Sequence, residues 1–484
     1  MPIVIIGGGI AGLYTALRLL DQGQTDIHVY EARERLGGNI FTHYDKNFHL
    51  EAGAGRYNSH HKKLLKLLKR FQLTSRPIPN EKWYAPILCP GKRMVDPSPR
   101  LLEEVVAYGK QFSTEQLVQL TFEQLCEQAL GSTKANILIQ SYGYDGDFKR
   151  INAAIMLEDF KEAINPQYYT CAEGLSELVK RLSDYLQEQG VQIHTSYLVQ
   201  DVLYKDDLYT IKFMGHRSIK TPTLILAIPA TYLQKLSLFT EYQKGLLEAV
   251  QPISLHRIYA KEPRPSPALR TTTDLPLRQY IPIDPANGIA MVSYSDDHYA
   301  DYWKNYADQG IKKLNTHLLY HLQQLFPKDP PTKFEWILSF YWKEGVHGWK
   351  AGYHPKRIRK ELKNLYPGLA IVGESYAINQ AWIEGALDTV EEALPTLLQT
   401  LTKGGASTEQ WVKLKLPNES VPRVIDVSKW MFLHPGGKEP YLQNMHQDIT
   451  SKFKKISSHF DTNGQLKEHV LATINKYTIH TKTS

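Results

Sequence analysis

Two groups of residues have types and spacings that could do chemistry, and they lie at opposite ends of the chain. Residues 5–13 read Ile5-Ile6-Gly7-Gly8-Gly9-Ile10-Ala11-Gly12-Leu13, with Gly7, Gly9 and Gly12 at the spacing G-x-G-x-x-G. Such a loop fits a dinucleotide. Gly7 permits a tight turn, Gly9 lets a pyrophosphate approach the backbone, and Gly12 lets helix and strand pack closely. Near the other end stand His434-Pro435-Gly436-Gly437 and, 25 positions after His434, His459. Two imidazoles suit the two axial positions of a haem iron. Together the two groups suggest a redox protein that moves electrons between two centres.

The elements around the first group suit this role. Residues 3–7 form a β-branched apolar run, residues 10–22 carry helical spacing, and Asp26-Ile27-His28-Val29-Tyr30-Glu31 alternates and ends in an acid. That is strand, helix and strand in about 30 residues. Glu31 follows Gly12 by 19 positions, where a carboxylate can accept the ribose hydroxyls. An acid there disfavours a 2′-phosphate. Residues 61–70 read as an amphipathic basic helix over a core stripe, with membrane-surface binding as the alternative. Residues 100–165 look mostly helical, and a helix from Gly174 to Gln189 precedes strands near 191–204 and 208–214. The strand Leu224–Ile228 is apolar throughout, as a buried strand would be. Leu369–Glu374 is a strand ending in glycine and acid, followed by a helix from about Ile383 to Leu398.

Length and composition bound the rest. At 484 residues, two or three domains are expected. The apolar fraction of 42% and charged fraction of 22% are those of a folded chain rather than a disordered one. Cys89, Cys126 and Cys171 are scattered and odd in number, which points to a reducing compartment rather than a disulfide framework. A strand starting at Pro2 leaves no room for a signal peptide, and no run approaches a membrane span. The expected location is therefore cytoplasmic. Net charge is +7, and residues 407–484 carry 11 Lys and Arg against 7 Asp and Glu. This reads as an ordinary solvated surface, with an acidic partner as the alternative. No basic patch interleaved with aromatics argues for nucleic acid.

The segments that follow the glycine loop carry a resemblance. Glu31-Ala32-Arg33-Glu34-Arg35-Leu36-Gly37-Gly38-Asn39 resembles the second glycine segment of the flavin-dependent amine oxidase superfamily, whose relatives include protoporphyrinogen oxidases and carotenoid desaturases. Gly53-Ala54-Gly55-Arg56 looks like the segment whose backbone meets the flavin ring. Val202 stands where the family places a valine holding adenine. Gly373-Glu374 and Gln380-Ala381-Trp382-Ile383-Glu384-Gly385 are similar to the closing motif, where a helix N-terminus faces the flavin. The resemblance implies FAD, held non-covalently. It also implies two aromatic rings flanking the substrate: Trp382, with Trp349 or Tyr353 as partner. Two departures stand out. Asn39 replaces the usual arginine, and the strand Ser254–Tyr259 offers no lysine of the kind many members link to the flavin through water. His256 is the candidate substitute, with a plain strand histidine as the other reading.

The C-terminal segment resembles the cytochrome b5 domain over about 75 residues, from the strand at Trp411-Val412 through His434 to His459. The resemblance implies haem b with His434 and His459 as iron ligands. His459 comes one residue later than in the commonest members, and His446 and His469 are minor alternatives. An iron with both axial sites filled does electron transfer rather than substrate chemistry.

The expected fold is thus α/β: a Rossmann-like FAD-binding domain of the amine oxidase type with an α+β substrate domain, plus a small α+β cytochrome b5-like domain. FAD-binding parts are expected at 1–75, 165–240 and 335–400, and substrate-domain parts at 76–164 and 241–334. A linker at 401–408 leads to the haem domain at 409–484. The expected activity is oxidation of a carbon–nitrogen bond of a small amine by hydride transfer to FAD. Electrons would be relayed through haem to O2 or a redox protein. The alternatives are a desaturase resembling protoporphyrinogen oxidase, and a redox sensor or scaffold without turnover.

Overall fold

The computed structural model describes residues 1–88, 92–162, 166–402, 411–416, 423–426, 447–456, 459–461 and 465–477. Ile3–Ile6 is buried at all four positions and forms the middle strand of a five-stranded parallel sheet. Its neighbours are Ile27–Tyr30 on one side and Thr223–Leu226 on the other, with Ile3 in register with Ile27 and Thr223. Gln192–His194 and Leu369–Ile371 complete the two edges. A parallel sheet is covered on both faces, which is why Leu224, Ile225 and Leu226 are consecutive apolar residues and all buried.

One face of the sheet carries the helices Ile10–Asp21, Leu175–Glu188 and Ile383–Thr402. Tyr14 and Glu391 join the first and last of these by a hydrogen bond of 2.5 Å. The basic helix Lys62–Arg70 also packs here. Leu64, Leu67 and Leu68 are its buried stripe, and Lys66 and Lys69 face water. The Glu384 carboxylate accepts the first backbone N–H groups of this helix, from Lys63 at 2.9 Å and Leu64 at 2.8 Å. An acid at a helix N-terminus satisfies orphan donors and opposes the dipole.

A second, seven-stranded sheet runs in the order Trp336–Trp349, Val250–Lys261, Ile289–Asp296, Gln279–Asp284, Thr271–Thr273, Trp83–Ala85 and Met94–Val95. Helices Asp297–Asp308 and Ile311–Leu325 back it through a core that includes Ile258, Val292 and Trp303. The strand Trp336–Trp349 corrects the expected partition at 335–400. It pairs along its length with Val250–Lys261 and belongs to this sheet, whereas Leu369–Ile371 joins the parallel sheet. A helical lobe from Ser98 to Glu162 packs beside both sheets.

In the C-terminal segment, Trp411–Leu414 and Arg423–Asp426 pair antiparallel. With helices Thr450–Phe453 and Glu468–Tyr477 they enclose Leu414, Leu416, Ile425, Ile449, Phe453 and Ile474. The expected linker lies almost wholly outside the described residues, as do His434, His446 and Cys89. Cys126 and Cys171 are buried free thiols. Among the described residues no helix is long and apolar enough to cross a membrane.

Candidate active site

A cavity of about 910 Å³ opens at the C-terminal ends of the parallel strands and continues to the seven-stranded sheet. This is where open α/β sheets bind ligands. The glycine loop forms one end. Gly7 has φ +110°, and a Cβ there would collide with the Ala227 carbonyl. The helix Ile10–Asp21 starts at Gly9 with no side-chain cap and no acid in its first turn, so its leading N–H groups face the cavity uncovered. Those are the donors that a pyrophosphate needs. Glu31 is fixed by the N–H of Gly8 at 2.7 Å and of Arg33 at 2.9 Å, one to each oxygen. The second glycine segment folds onto the first: Gly37 N donates to Gly8 O at 2.8 Å, and a Cβ on Gly38 would lie 3.3 Å from the Gly9 Cα.

The structure brings most of the expected cofactor residues together. Gly7, Gly9, Ile10, Ala11, Glu31, Ala32, Arg33, Gly37, Gly38, Asn39, Gly53, Ala54, Gly55, Arg56, Gly373, Glu374, Trp382 and Ile383 all line this cavity. Gly12 does not, because it packs behind the loop, where a Cβ would collide with the Gly7 carbonyl. Val202 does not either. It is fully buried in the core, paired with Ile211, and Val199 and Gln200 line the cavity instead. Asn39 turns away from the role of the missing arginine. Its Nδ2 donates to the carbonyls of Glu344 and Gly345, both at 2.9 Å.

Three of the four expected catalytic residues lie elsewhere. His256 is fully buried under the helix Asp297–Asp308. Its Nε2 is 2.7 Å from Ser339 Oγ and its Nδ1 3.2 Å from the Ala300 carbonyl. Burial pushes its pKa down to about 4, so it stays neutral there. Strand side chains alternate, and the residues of this strand that face the cavity are Leu255 and Arg257. Trp349 is a core residue whose Nε1 donates to the Ala377 carbonyl at 2.8 Å, and Tyr353 packs against the same core. Neither lines the cavity. Trp382 does, with the His61 ring edge-on at 4.8 Å and Tyr168 stacked at 6.4 Å.

Several wall residues carry no motif and were not singled out from the sequence. Tyr142, Tyr144 and Asp147 come from the helical lobe, Tyr294 and Asp296 from the strand Ile289–Asp296, and Trp342 and His347 from Trp336–Trp349. Burial and the neighbouring acids push Asp296 up to about 8, and burial pushes Asp147 up to about 7. Only the period-2 pattern of the strands could have pointed to Arg257, Tyr294 and Asp296.

Comparison with known proteins places this geometry. Residues 10–393 match the flavin containing amine oxidoreductase family. The chain belongs to that family. It is a family of flavin-dependent oxidoreductases, and residues 422–478 match the cytochrome b5-like heme/steroid binding domain. A putrescine oxidase double mutant with redesigned cofactor binding superposes with a TM-score of 0.64, covering 82% of this chain and 99% of that one at 16% identity, which shows the shared fold. Tryptophan 2-monooxygenase of Agrobacterium vitis is 39% identical over 82 residues, 16% of this chain and 11% of that protein. Zeta-carotene desaturase of Capsicum annuum is 37% identical over 71 residues, 14% of this chain and 12% of that protein. These stretches span about a tenth of the curated relatives.

At the haem end, the His459 ring is buried and lies 4.4 Å from Phe453. His434, its expected partner, is outside the described residues.

Proposed function

We propose that this family member binds FAD in the cavity, oxidises the carbon–nitrogen bond of a small amine, and relays the electrons to haem b held by His434 and His459. The observation that carries the reading is that the glycine segments within residues 7–56 and the closing motif at residues 373–383, far apart in the chain, line one cavity, with Trp382 on its wall. When bound, FAD supplies the two-electron acceptor for the substrate hydride and haem b a one-electron acceptor. Glu31 is the acceptor for the ribose hydroxyls, and the uncapped helix at Gly9 serves the pyrophosphate. Trp382 and Tyr168 offer adjoining ring surfaces on the cavity wall against which the substrate lies. Walls of glycine backbone and aromatic rings exclude water around the reacting carbon. Proton transfer needs no strong base, and Asp147 is a carboxyl poised near neutrality. The polar wall of Arg56, Arg257, Asp147 and Asp296 speaks against a long apolar substrate. The outside acceptor is O2 or a redox protein, and the location is cytoplasmic on this reading.

The test is anaerobic addition of a panel of amines to the purified full chain, followed by visible spectroscopy. Flavin bleaching followed by haem reduction supports the whole reading. Bleaching with a haem that stays oxidised removes the relay and leaves the oxidation. Loss of the haem bands in both His434→Ala and His459→Ala supports the bis-histidine site, and haem retained in either variant removes it.

A further inference from the structure

We propose that His61 is the positioning residue of Trp382: its ring fixes the indole on the cavity wall and so sets how tightly the substrate is held. This rests on the amine-oxidising reading above and assigns part of its substrate affinity to one further residue.

Trp303, Trp342 and Trp349 are each anchored through the indole N–H, which donates to the carbonyls of Pro276 at 2.7 Å, Ala52 at 2.7 Å and Ala377 at 2.8 Å. Trp382 is held differently. It is half-buried, and among the described residues nothing accepts its indole N–H. The turn at Ala381 fixes its backbone, but a backbone conformation leaves more than one side-chain rotamer open. Ring contacts select among them. Tyr168 stacks on the indole at 6.4 Å with 28° between the planes, and His61 meets it at 4.8 Å with 64° between the planes. The contact with His61 is the closer of the two. Edge-to-face rings at this separation attract, because the positive edge of one meets the negative face of the other.

His61 is itself firmly placed. It is 3% exposed, and its Nδ1 accepts the Asn58 backbone N–H at 3.3 Å, which leaves the ring proton on Nε2. Burial pushes its pKa down to about 4, so it acts on Trp382 as an uncharged ring. Its backbone opens the helix Lys62–Arg70, where the His61 carbonyl accepts from Leu65 N at 3.0 Å. Glu384 binds the next two N–H groups of that helix and stands two residues after Trp382. Lys63 Nζ closes the joint on Asp388 at 2.6 Å. The backbone under His61 and the backbone under Trp382 are thus tied to each other, and the fold sets the spacing of the two rings. Both rings line the cavity. Without the His61 ring the indole gains room on that side and populates further rotamers. The substrate then has to order the indole as it binds, and that cost weakens affinity.

The test uses the full-length holoprotein labelled with 5-fluorotryptophan, and its first readout needs no turnover. The Trp382 fluorine resonance is assigned by its loss in Trp382→Phe. One narrow line is expected in the wild type, a split or at least twofold broader line in His61→Ala, and one narrow line again in His61→Phe, which restores a ring. His61→Leu, which keeps the bulk without the ring, takes the place of His61→Ala under the same criteria if the alanine variant does not fold. A broad Trp382 line in the wild type overturns the proposal, as does a single narrow line in the variant that lacks the ring. The second readout is anaerobic flavin reduction by the amine of the panel that bleaches the flavin fastest. His61→Ala should raise its half-saturating concentration about five- to tenfold, on the scale of one edge-to-face pair, with the limiting rate within about threefold of wild type and the affinity restored in His61→Phe. In a Trp382→Ala background His61→Ala should add nothing, and an additive loss there overturns positioning through Trp382. If an amine bleaches the flavin with the same half-saturation in wild type and His61→Ala, the oxidation reading stands and the positioning falls. If the Trp382 line splits in His61→Ala and no amine bleaches the flavin, the positioning stands and the oxidation reading falls.

Discussion

Glu374 holds His347 at two points. Its Oε2 lies 2.8 Å from the imidazole Nδ1, and its Oε1 accepts the His347 backbone N–H at 2.9 Å. The same Oε1 accepts from Ala381 N at 2.8 Å. One carboxylate thus joins the end of the strand Trp336–Trp349 to the turn that carries Trp382. Ala381 sits in that turn with φ +65°, a conformation that a non-glycine residue keeps only when its surroundings enforce it. Glu374→Ala should lose these hydrogen bonds and release Trp382 from its place. Leaving the buried His347 donors unsatisfied costs about 1–3 kcal/mol each, and the exposed Ala381 N–H can turn to water. The expected outcome is a melting temperature lower by several degrees and a flavin-to-protein ratio below half of wild type after purification. A variant with full flavin content would show that the clamp does not shape the cofactor end of the cavity.

His256 and Arg257 make a matched pair of neighbours on one strand with opposite duties. His256 points under the helix Asp297–Asp308 and bonds Ser339, whereas Arg257 points into the cavity. His256→Ala should therefore leave a cavity and unpaired polar groups, costing about 1–3 kcal/mol of stability. Its flavin spectrum and kcat should stay within about threefold of wild type. A large fall in kcat at unchanged stability would return His256 to the chemistry.

That pair also shows how far the sequence could be read. The glycine loop, Glu31, Gly53–Arg56 and Trp382 were legible because each needs a particular residue type at a particular spacing, and local geometry follows from it. The parity of a strand is a weaker signal. Ser254–Tyr259 alternates between two buried faces, so composition does not say which face looks into the cavity. Trp349 belongs to a strand rich in aromatics, which supplies core and site alike, and Tyr353 lies in the loop beyond that strand and packs on the same core. Trp342 rather than Trp349 reaches the cavity, with its Nε1 donating to the Ala52 carbonyl at 2.7 Å. Tyr144, Asp147, Tyr294 and Asp296 meet only through tertiary packing, which no local pattern encodes.

Gly12 offers a test of the close contact between helix and loop. A side chain there meets the Gly7 carbonyl, and the helix Ile10–Asp21 has no slack because Leu13, Ala16 and Leu17 are packed on the sheet. Gly12→Ala must push the helix away from the loop that receives the pyrophosphate. Overpacking of this kind costs about 1–3 kcal/mol. The outcome expected is a folded protein with flavin affinity lowered at least tenfold, read by titrating FAD into flavin-stripped protein. Gly23 is the control. It has φ +80° but open space around it, so Gly23→Asn should bind FAD as wild type does.

Asp296 gives the pH dependence. Its carboxyl is raised by burial and by Asp145 and Asp147, to about 8 against an ordinary value near 4. Of these neighbours, Asp145 is paired with Arg278, while Asp147 faces the cavity with its own carboxyl raised to about 7. Between the unfolded and folded values the native state binds the extra proton, so stability from this group is full at low pH and is lost as pH rises toward 8. A slope on the order of 1 kcal/mol per pH unit is the ceiling for one such group. Asp296→Asn removes the titration and keeps an oxygen that can accept from Gly146 N. The melting temperature of the variant relative to wild type should therefore climb steadily between pH 6 and pH 8.5 and level off above that. A difference that stays flat across the same range would mean that Asp296 remains ionised throughout, and that the cavity wall is charged in a different pattern from the one its burial dictates.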